Sequence, residues 1–292
     1  MRKILFIVNP AAGNGQAKKV LPLIHDQCDG EKLTYDIKVS NRENQITDLV
    51  KQSIEKKQYT DLVAVGGDGT IIECINAIVG VNIRLGLIPM GTGNDLARSL
   101  DIPKEPEKAL RKILKGRLKK VDLGSVNGVI FINSAGVGID GKIIYDTGKI
   151  KKLIPGGSAY TLSTIKSIFA FQPFKVRLTL DGLEVERDAY LIAIGNGQYF
   201  GGGMKITPKA KLDSGVFQIC LVRKLPRRKF LRVFPKVYKG QHETEPEVET
   251  FTCRTIKIDT FNRDLHVSAD GNLVSMTPAT INMYHEKIEI WH

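Results

Sequence analysis

Three short segments combine glycine with asparagine, aspartate or threonine: Asn9-Pro10-Ala11-Ala12-Gly13-Asn14-Gly15, Gly66-Gly67-Asp68-Gly69-Thr70 and Pro89-Met90-Gly91-Thr92-Gly93-Asn94-Asp95. Each follows a short apolar run and precedes a stretch with helical spacing. Glycines let the backbone approach a phosphate closely, and the N-terminus of the following helix offers it unpaired N–H groups. Asp68 places a carboxylate inside such a loop. Beside phosphates an acid makes chemical sense with Mg2+ between them, or as a proton acceptor. Taken alone, Gly66–Thr70 is equally a tight strand-to-helix turn with Asp68 capping it. Three loops of like composition at the ends of three strands outweigh that reading. None is a Walker A loop, and the first strand turn lacks the GxGxxG pattern of dinucleotide sites.

The elements that carry these loops are legible from hydrophobic patterning. Ile4–Val8, Asp61–Val65 and Leu85–Pro89 are continuous apolar runs, suited to central strands of a parallel sheet buried on both faces. Gly15–Asp29, Asn44–Gln58, Thr70–Val79 and Glu105–Lys115 read as helices between them, the last with Ala109, Leu110, Ile113 and Leu114 on one stripe. The alternation predicts an open, mostly parallel α/β sheet over residues 1–125, with ligands bound beyond the carboxyl ends of its strands. From about Val126 short β-type runs take over, at Val129–Asn133, Val176–Leu180, Ala189–Ala193, Val216–Val222, Thr255–Asp259, Leu265–Ala269 and Thr280–Tyr284. They predict a β-sandwich over residues 126–285, interrupted by helical patterns at Ala159–Phe171 and Lys229–Lys239. A last strand at Lys287–Trp291 could join either domain.

Composition narrows the function classes. The chain has 292 residues and a net charge of +12, which favours anionic partners: nucleotide, nucleic acid or an acidic membrane surface. Six basic residues lie within Arg111–Lys120, and eight within Arg223–Lys239, which holds no acidic residue. The second block interleaves Phe230, Phe234 and Tyr238 at near-helical spacing, with Pro235 interrupting. Such a stretch suits a membrane interface or a solvated helix face equally. Cys28, Cys74, Cys220 and Cys253 are scattered, and no pair has metal-ligand spacing, so reduced thiols in a cytoplasmic protein are expected. A nucleic-acid reading rests on charge alone, without a supporting motif.

Taken together, the three loops resemble those of the diacylglycerol kinase catalytic-domain family, which includes bacterial soluble lipid kinases and is similar to sphingosine and ceramide kinases. The resemblance continues in order through Val121–Gly124, Asn133–Gly138, Gly195–Gly203, Lys211–Asp213 and Asp270-Gly271. It implies a two-domain lipid kinase using ATP and Mg2+ on diacylglycerol or a related lipid, cytoplasmic and peripherally bound to an anionic membrane. By the same resemblance Asn9, Gly66, Gly67, Asp68, Gly69, Thr70 and Thr92 contact nucleotide, and Ser40 stands where a threonine often does. Asp68, Asp95 and Asp122 would surround catalytic Mg2+, and residues of about 286–292 would return to the first domain. From the residues alone, Asp95 is also an N-cap candidate, Asp122 a strand-edge turn residue, and Arg98 either a surface residue or a phosphate contact.

Two positions depart from the family pattern. Asp270-Gly271-Asn272 stands where bacterial members read Asp-Gly-Glu, and a carboxamide cannot act as base. Proton acceptance then falls to Asp270 or Asp68, although Asp-Gly is also a strong hairpin turn. Ser214 replaces an aspartate that helps hold a structural Mg2+ in some relatives, and a hydroxyl is a poorer ligand for that ion. A lipid kinase is the leading expectation. An enzyme like NAD kinase, which shares the Gly-Gly-Asp-Gly-Thr loop, and a non-catalytic nucleotide or lipid sensor are the alternatives. Lys142–Phe171 and Arg223–Lys239 are the candidate membrane-docking segments, and a homodimer stays open.

Overall fold

A computed structural model of the chain describes residues 2–41, 45–151, 170–261 and 263–292. The helix expected over Ala159–Phe171 lies outside the described residues except at its end, as does much of the Lys142–Phe171 segment. The chain divides into two compact units, Met1–Asp122 with His285–His292, and Leu123–Tyr284.

The first unit is an α/β layer. Its elements run β1 (Lys3–Val8), α1 (Leu21–Gly30), β2 (Thr34–Val39), α2 (Ile46–Lys56), β3 (Asp61–Gly66), α3 (Asp68–Ile78), β4 (Arg84–Pro89), α4 (Asp95–Ser99) and α5 (Pro106–Lys115). A 3-10 turn at Gln16–Val20 precedes α1, where sequence periodicity suggests one longer helix. Pro22 sits in the first turn of α1, where its missing N–H costs nothing. The strands pair in parallel in the order β2-β1-β3-β4, and Ile290 near the carboxyl terminus adds a parallel bridge to Leu85. In that order the chain winds one way from β1 to β2 and the other way from β3 to β4. The reversal places a topological switch point between the carboxyl ends of β1 and β3, where open α/β sheets bind ligands. β1 and β3 bury nearly every residue, the pattern their apolar runs demand. At the opposite, amino-terminal end of the sheet the fully buried Asp61 holds Arg2, Thr60 and Trp291 by hydrogen bonds and lies 3.7 Å from Arg84.

The second unit is β-rich. After β5 (Leu118–Val126) come β6 (Val129–Phe131), β7 (Ser134–Gly138), α6 (Ile139–Lys151), β8 (Phe174–Leu180), β9 (Leu183–Gly195), β10 (Phe217–Arg223), α7 (Arg227–Val237), β11 (Val248–Cys253), β12 (Thr255–Thr260), β13 (His266–Ala269), β14 (Asn272–Met276) and β15 (Ala279–Trp291). The strands of this unit pair antiparallel, and a cluster including Phe131, Phe174, Phe217, Ile219 and Ile256 forms its core. Phe131 and Phe217 stack with ring centres 5.6 Å apart. Among the described residues no helix is long and apolar enough to cross a membrane.

One buried acid sits at the start of α6. Asp140 accepts a hydrogen bond from the Ser268 hydroxyl at 2.5 Å, and burial pushes its carboxyl up to about 6. A group raised in the folded state favours folding fully below its unfolded value and loses that contribution as pH rises through the folded one. Asp140→Asn is therefore expected to raise the urea midpoint at pH 8, and the gain should close as pH falls from about 6 toward 4. A pH-independent difference between the two proteins would exclude this origin.

Candidate functional site

The three glycine loops meet at the carboxyl ends of β1, β3 and β4. The Asn9 side-chain amide donates to the Thr70 hydroxyl at 2.9 Å, which ties the loop after β1 to α3 across the switch point. Asn9 Oδ1 accepts from the Ala11 N–H at 3.1 Å and shapes its own loop. Gly67 and Gly91 approach backbone to backbone: a Cβ added to Gly91 would stand 2.6 Å from Gly67 Cα. Gly13, at a φ of 60°, lies against the Met90 carbonyl, where a Cβ would come within 2.8 Å. The Met90 N–H donates to the Gly66 carbonyl at 2.8 Å. Ser40, buried just beyond β2, bonds the Val8 carbonyl through its own N–H at 2.9 Å.

Gly69 shows what this convergence leaves open. It is exposed in the first turn of α3, and a Cβ built there meets nothing within 4 Å. The bare start of α3 offers the unpaired N–H groups of a helix's first turn, which suit phosphate oxygens. Thr92 is exposed between Gly91 and Gly93 in the neighbouring loop. Two substitutions separate loop packing from ligand space. Gly91→Ala must push Gly67 and Asn94 Oδ1 away, so a loss of stability of about 1–3 kcal/mol is expected in a urea titration. Gly69→Ala is expected to leave stability unchanged, since a methyl there meets nothing within 4 Å. If the loop takes ATP phosphates as the resemblance implies, the same methyl should weaken ATP binding by about 10-fold, read by calorimetry.

The acids are arranged unequally. Asp68 opens α3, and its carboxylate faces the backbone N–H groups of Asn94, Asp95 and Leu96. Burial raises its pKa first, the Asp95 carboxylate adds to the rise, and the three N–H groups act against both. Asp68 Oδ1 is buried without a hydrogen-bond partner among the described residues. Asp95 is buried at the first position of α4. The cap of that helix is Asn94, left-handed at a φ of 52°, so the N-cap reading of Asp95 gives way to its neighbour. Asn94 also exchanges two hydrogen bonds with Gly91, at 2.9 and 2.7 Å, and locks the loop. Patterning missed Asn94; its signal is an asparagine, tolerant of the left-handed region, directly before the helix. Asp122 lies buried on β5 and pairs with Lys287 at 2.6 Å. No group of three acidic, histidine or cysteine residues with metal-binding geometry occurs among the described residues. Arg98, on α4, reaches back to the Gly93 carbonyl in the preceding loop at 3.4 Å.

Asp270 belongs to the second unit and is itself a hairpin residue. Asp270 and Gly271 join β13 to β14 with φ angles of 44° and 80°, the left-handed pair of a two-residue turn. Its carboxylate accepts the backbone N–H groups of Ile132, Asn133 and Ser134 at 2.8, 2.9 and 3.0 Å. Asn196 adds a bond to the Ile132 carbonyl at 2.6 Å, and Thr207 one to the Gly197 carbonyl at 2.8 Å. Asp270 thus clamps the strand entering β7. Asn272 is exposed. The Ser214 hydroxyl lies 2.9 and 3.0 Å from the Lys211 and Val216 carbonyls, inside its turn.

Residues 3–126 match the model of the diacylglycerol kinase catalytic domain, and residues 133–292 match that of the YegS C-terminal NAD kinase beta sandwich-like domain. The chain belongs to the diacylglycerol kinase family. It is thereby a member of a family of lipid kinases, built as an α/β domain and a β-sandwich-like domain. It is 31% identical to a diacylglycerol kinase of Staphylococcus aureus strain MRSA252, over 99% of this chain and 92% of that protein. Identity to a diacylglycerol kinase of Bacillus subtilis strain 168 is 28%, over 97% and 94%. A crystal structure of a diacylglycerol kinase from Bacillus anthracis superposes with a TM-score of 0.78 at 26% identity, covering 100% of this chain and 97% of that one. Gly66–Thr70 and the loops that meet it lie within the kinase-domain match.

Proposed function

We propose that the protein transfers the γ-phosphoryl group of ATP to a hydroxyl of diacylglycerol or a related lipid, acting on the cytoplasmic side at a membrane surface. The observation that carries this reading is the convergence of the Asn9, Gly66–Thr70 and Gly91–Asp95 loops at the switch point, with an exposed helix start at Gly69. Asn9, Ser40, Gly66, Gly67, Gly69, Thr70 and Thr92 would line the nucleotide site.

The donor set fits Mg2+. A buried carboxylate oxygen without a partner, beside a second carboxylate that raises its pKa, is the arrangement a divalent cation stabilises. Asp68 and Asp95 would hold the ion, and Asp122 would act from its pair with Lys287. Bound Mg2+ supplies neutralisation of the charge on the transferring phosphoryl group. In the transfer, the lipid oxygen forms a bond to the γ-phosphorus, the bond from that phosphorus to the ADP oxygen breaks, and the hydroxyl proton passes to a carboxylate. Asp68 would be the better acceptor: three backbone N–H groups face it too, but its Oδ1 is left without a partner and burial raises its pKa. Both Asp270 oxygens, by contrast, are taken up by the N–H groups of Ile132, Asn133 and Ser134. A carboxylate near a metal is a weak base, and a loose transition state asks for no stronger one.

Labelled ATP offered with diacylglycerol, a sphingoid base and NAD tests the reading. Label in the lipid is the expected result. Transfer to NAD alone would replace it with a NAD kinase, and ATP binding without transfer to any acceptor would replace it with a sensor.

A further inference from the structure

The basic block at Arg223–Lys239 divides in two when its partners are traced. Lys229 reaches Glu247 at 2.5 Å and Glu245 at 3.6 Å, Lys236 reaches Glu245 at 2.6 Å, and Arg223 reaches Glu249 at 3.0 Å. These acids come from residues 245–249, on one flank of α7. Arg228, Arg232 and Lys239 are exposed and have no ion-pair partner among the described residues. At about 100° per residue Arg228 and Arg232 share one row of the helix, well round from the buried Val233 and Val237, and Lys239 follows in the turn after its end.

Between the buried stripe and that row runs an aromatic ridge. Phe230 and Phe234 stack with centres 5.8 Å apart, and Phe234 meets Tyr238 edge-on at 6.0 Å. The ridge rises out of the protein along the helix: both phenylalanines are half-buried, and Tyr238 is 52% exposed. A merely solvated face would have no use for three connected rings beside its free cations. Rings of this kind settle at headgroup level, and arginine and lysine beside them meet lipid phosphates.

We infer that Arg228, Arg232 and Lys239, with the Phe230–Phe234–Tyr238 ridge, dock the protein on an anionic lipid bilayer, whereas Lys229 and Lys236 serve the fold. The inference rests on the lipid-kinase reading for its purpose but not for its test. Charge complementarity selects the occupant, since the row is positive and the acids Glu245 and Glu247 pair with Lys229 and Lys236 rather than with it. The row would lie against anionic headgroups, and Tyr238 would enter the interface first.

Sedimentation with vesicles of phosphatidylglycerol and phosphatidylcholine, and of phosphatidylcholine alone, tests the assignment. The triple variant R228Q/R232Q/K239Q is expected to lose roughly 100-fold in partition to the anionic vesicles. K229Q/K236Q, which also removes cations from this helix, should lose much less per charge. In a second measurement Tyr238→Trp should shift its emission to shorter wavelength on adding anionic vesicles, with W291F as the background. Equal losses per charge for both charge variants, or no emission shift, would overturn the inference. Transfer to diacylglycerol dispersed in detergent should survive in the triple variant. If the wild-type protein lacks that transfer, the lipid-kinase reading fails while the vesicle result stands on its own.

Discussion

Asp68→Asn is expected to lower phosphoryl transfer by roughly 10²- to 10⁴-fold, with ATP binding in the absence of Mg2+ changed by no more than a few-fold. The two effects separate because different groups carry them. In the proposed site the phosphate contacts would come from the backbone of Gly66–Thr70, whose approach to Gly91 at Gly67 does not involve the Asp68 side chain. The charge on Asp68 has another use: it is desolvated, raised by Asp95 and left with one oxygen without a partner. Asparagine keeps the shape and removes the charge. A ligand that binds only the folded state raises the melting temperature by mass action. Mg2+ should therefore stabilise the wild-type protein and not the Asp68→Asn or Asp95→Asn variants. Transfer within about 3-fold of wild type in Asp68→Asn would remove this residue from the chemistry.

Asp270→Asn is the contrasting case. If the carboxylate clamps Ile132, Asn133 and Ser134, the substitution weakens three hydrogen bonds and keeps a side chain that tolerates a φ of 44°. Transfer should fall by less than about 10-fold, with the shape of its pH profile unchanged. Loss of the acidic limb of that profile would instead return Asp270 to the role of proton acceptor.

Much of the frame was legible because buried parallel strands write themselves plainly. Ile4–Val8, Leu62–Val65 and Leu85–Ile88 are apolar throughout, since both faces of the sheet are covered. Thr34–Val39 escaped notice for the opposite reason: β2 is an edge strand, half-exposed, and its Tyr35, Asp36 and Lys38 blur the pattern. The Asp-Gly turn at 270–271 is likewise a local signal, and it formed as such. What that carboxylate holds is a matter of the distant backbone at 132–134, which no local pattern encodes. The same holds for Gly67 against Gly91, where two glycines serve one close approach between loops. The basic block shows the limit most clearly. Its charges stand in one run of sequence, but the acids that neutralise part of it lie just beyond, at 245–249, and only the folded helix separates the two kinds of cation.

Asp61→Ala is expected to destabilise the protein by about 3–5 kcal/mol, because removing one partner of a buried ion pair leaves the others uncompensated. Asp61 has no exposed side-chain surface, and its two oxygens serve an unusually full set of donors. Arg2 Nε lies 3.1 Å away, the Thr60 hydroxyl 2.5 Å, the Trp291 indole N–H 2.6 Å and Arg84 Nε 3.7 Å. Arg2 also lies over the Trp291 ring, 4.4 Å from its centre, so the acid and the ring hold the same guanidinium from two sides. The consequence reaches the chain's end. Trp291 follows Ile290, whose parallel bridge to Leu85 seats the terminal segment beside β4. Trp291→Phe keeps a ring for Arg2 and removes one donor to a charged acceptor, a loss of about 1.5–3 kcal/mol. Urea midpoints at an unchanged slope measure both effects. The double variant should then fall short of the sum, because Trp291 and Arg2 act on the same carboxylate. Strict additivity would show that the terminal strand is anchored elsewhere, with Asp61 serving only Arg2 and Arg84.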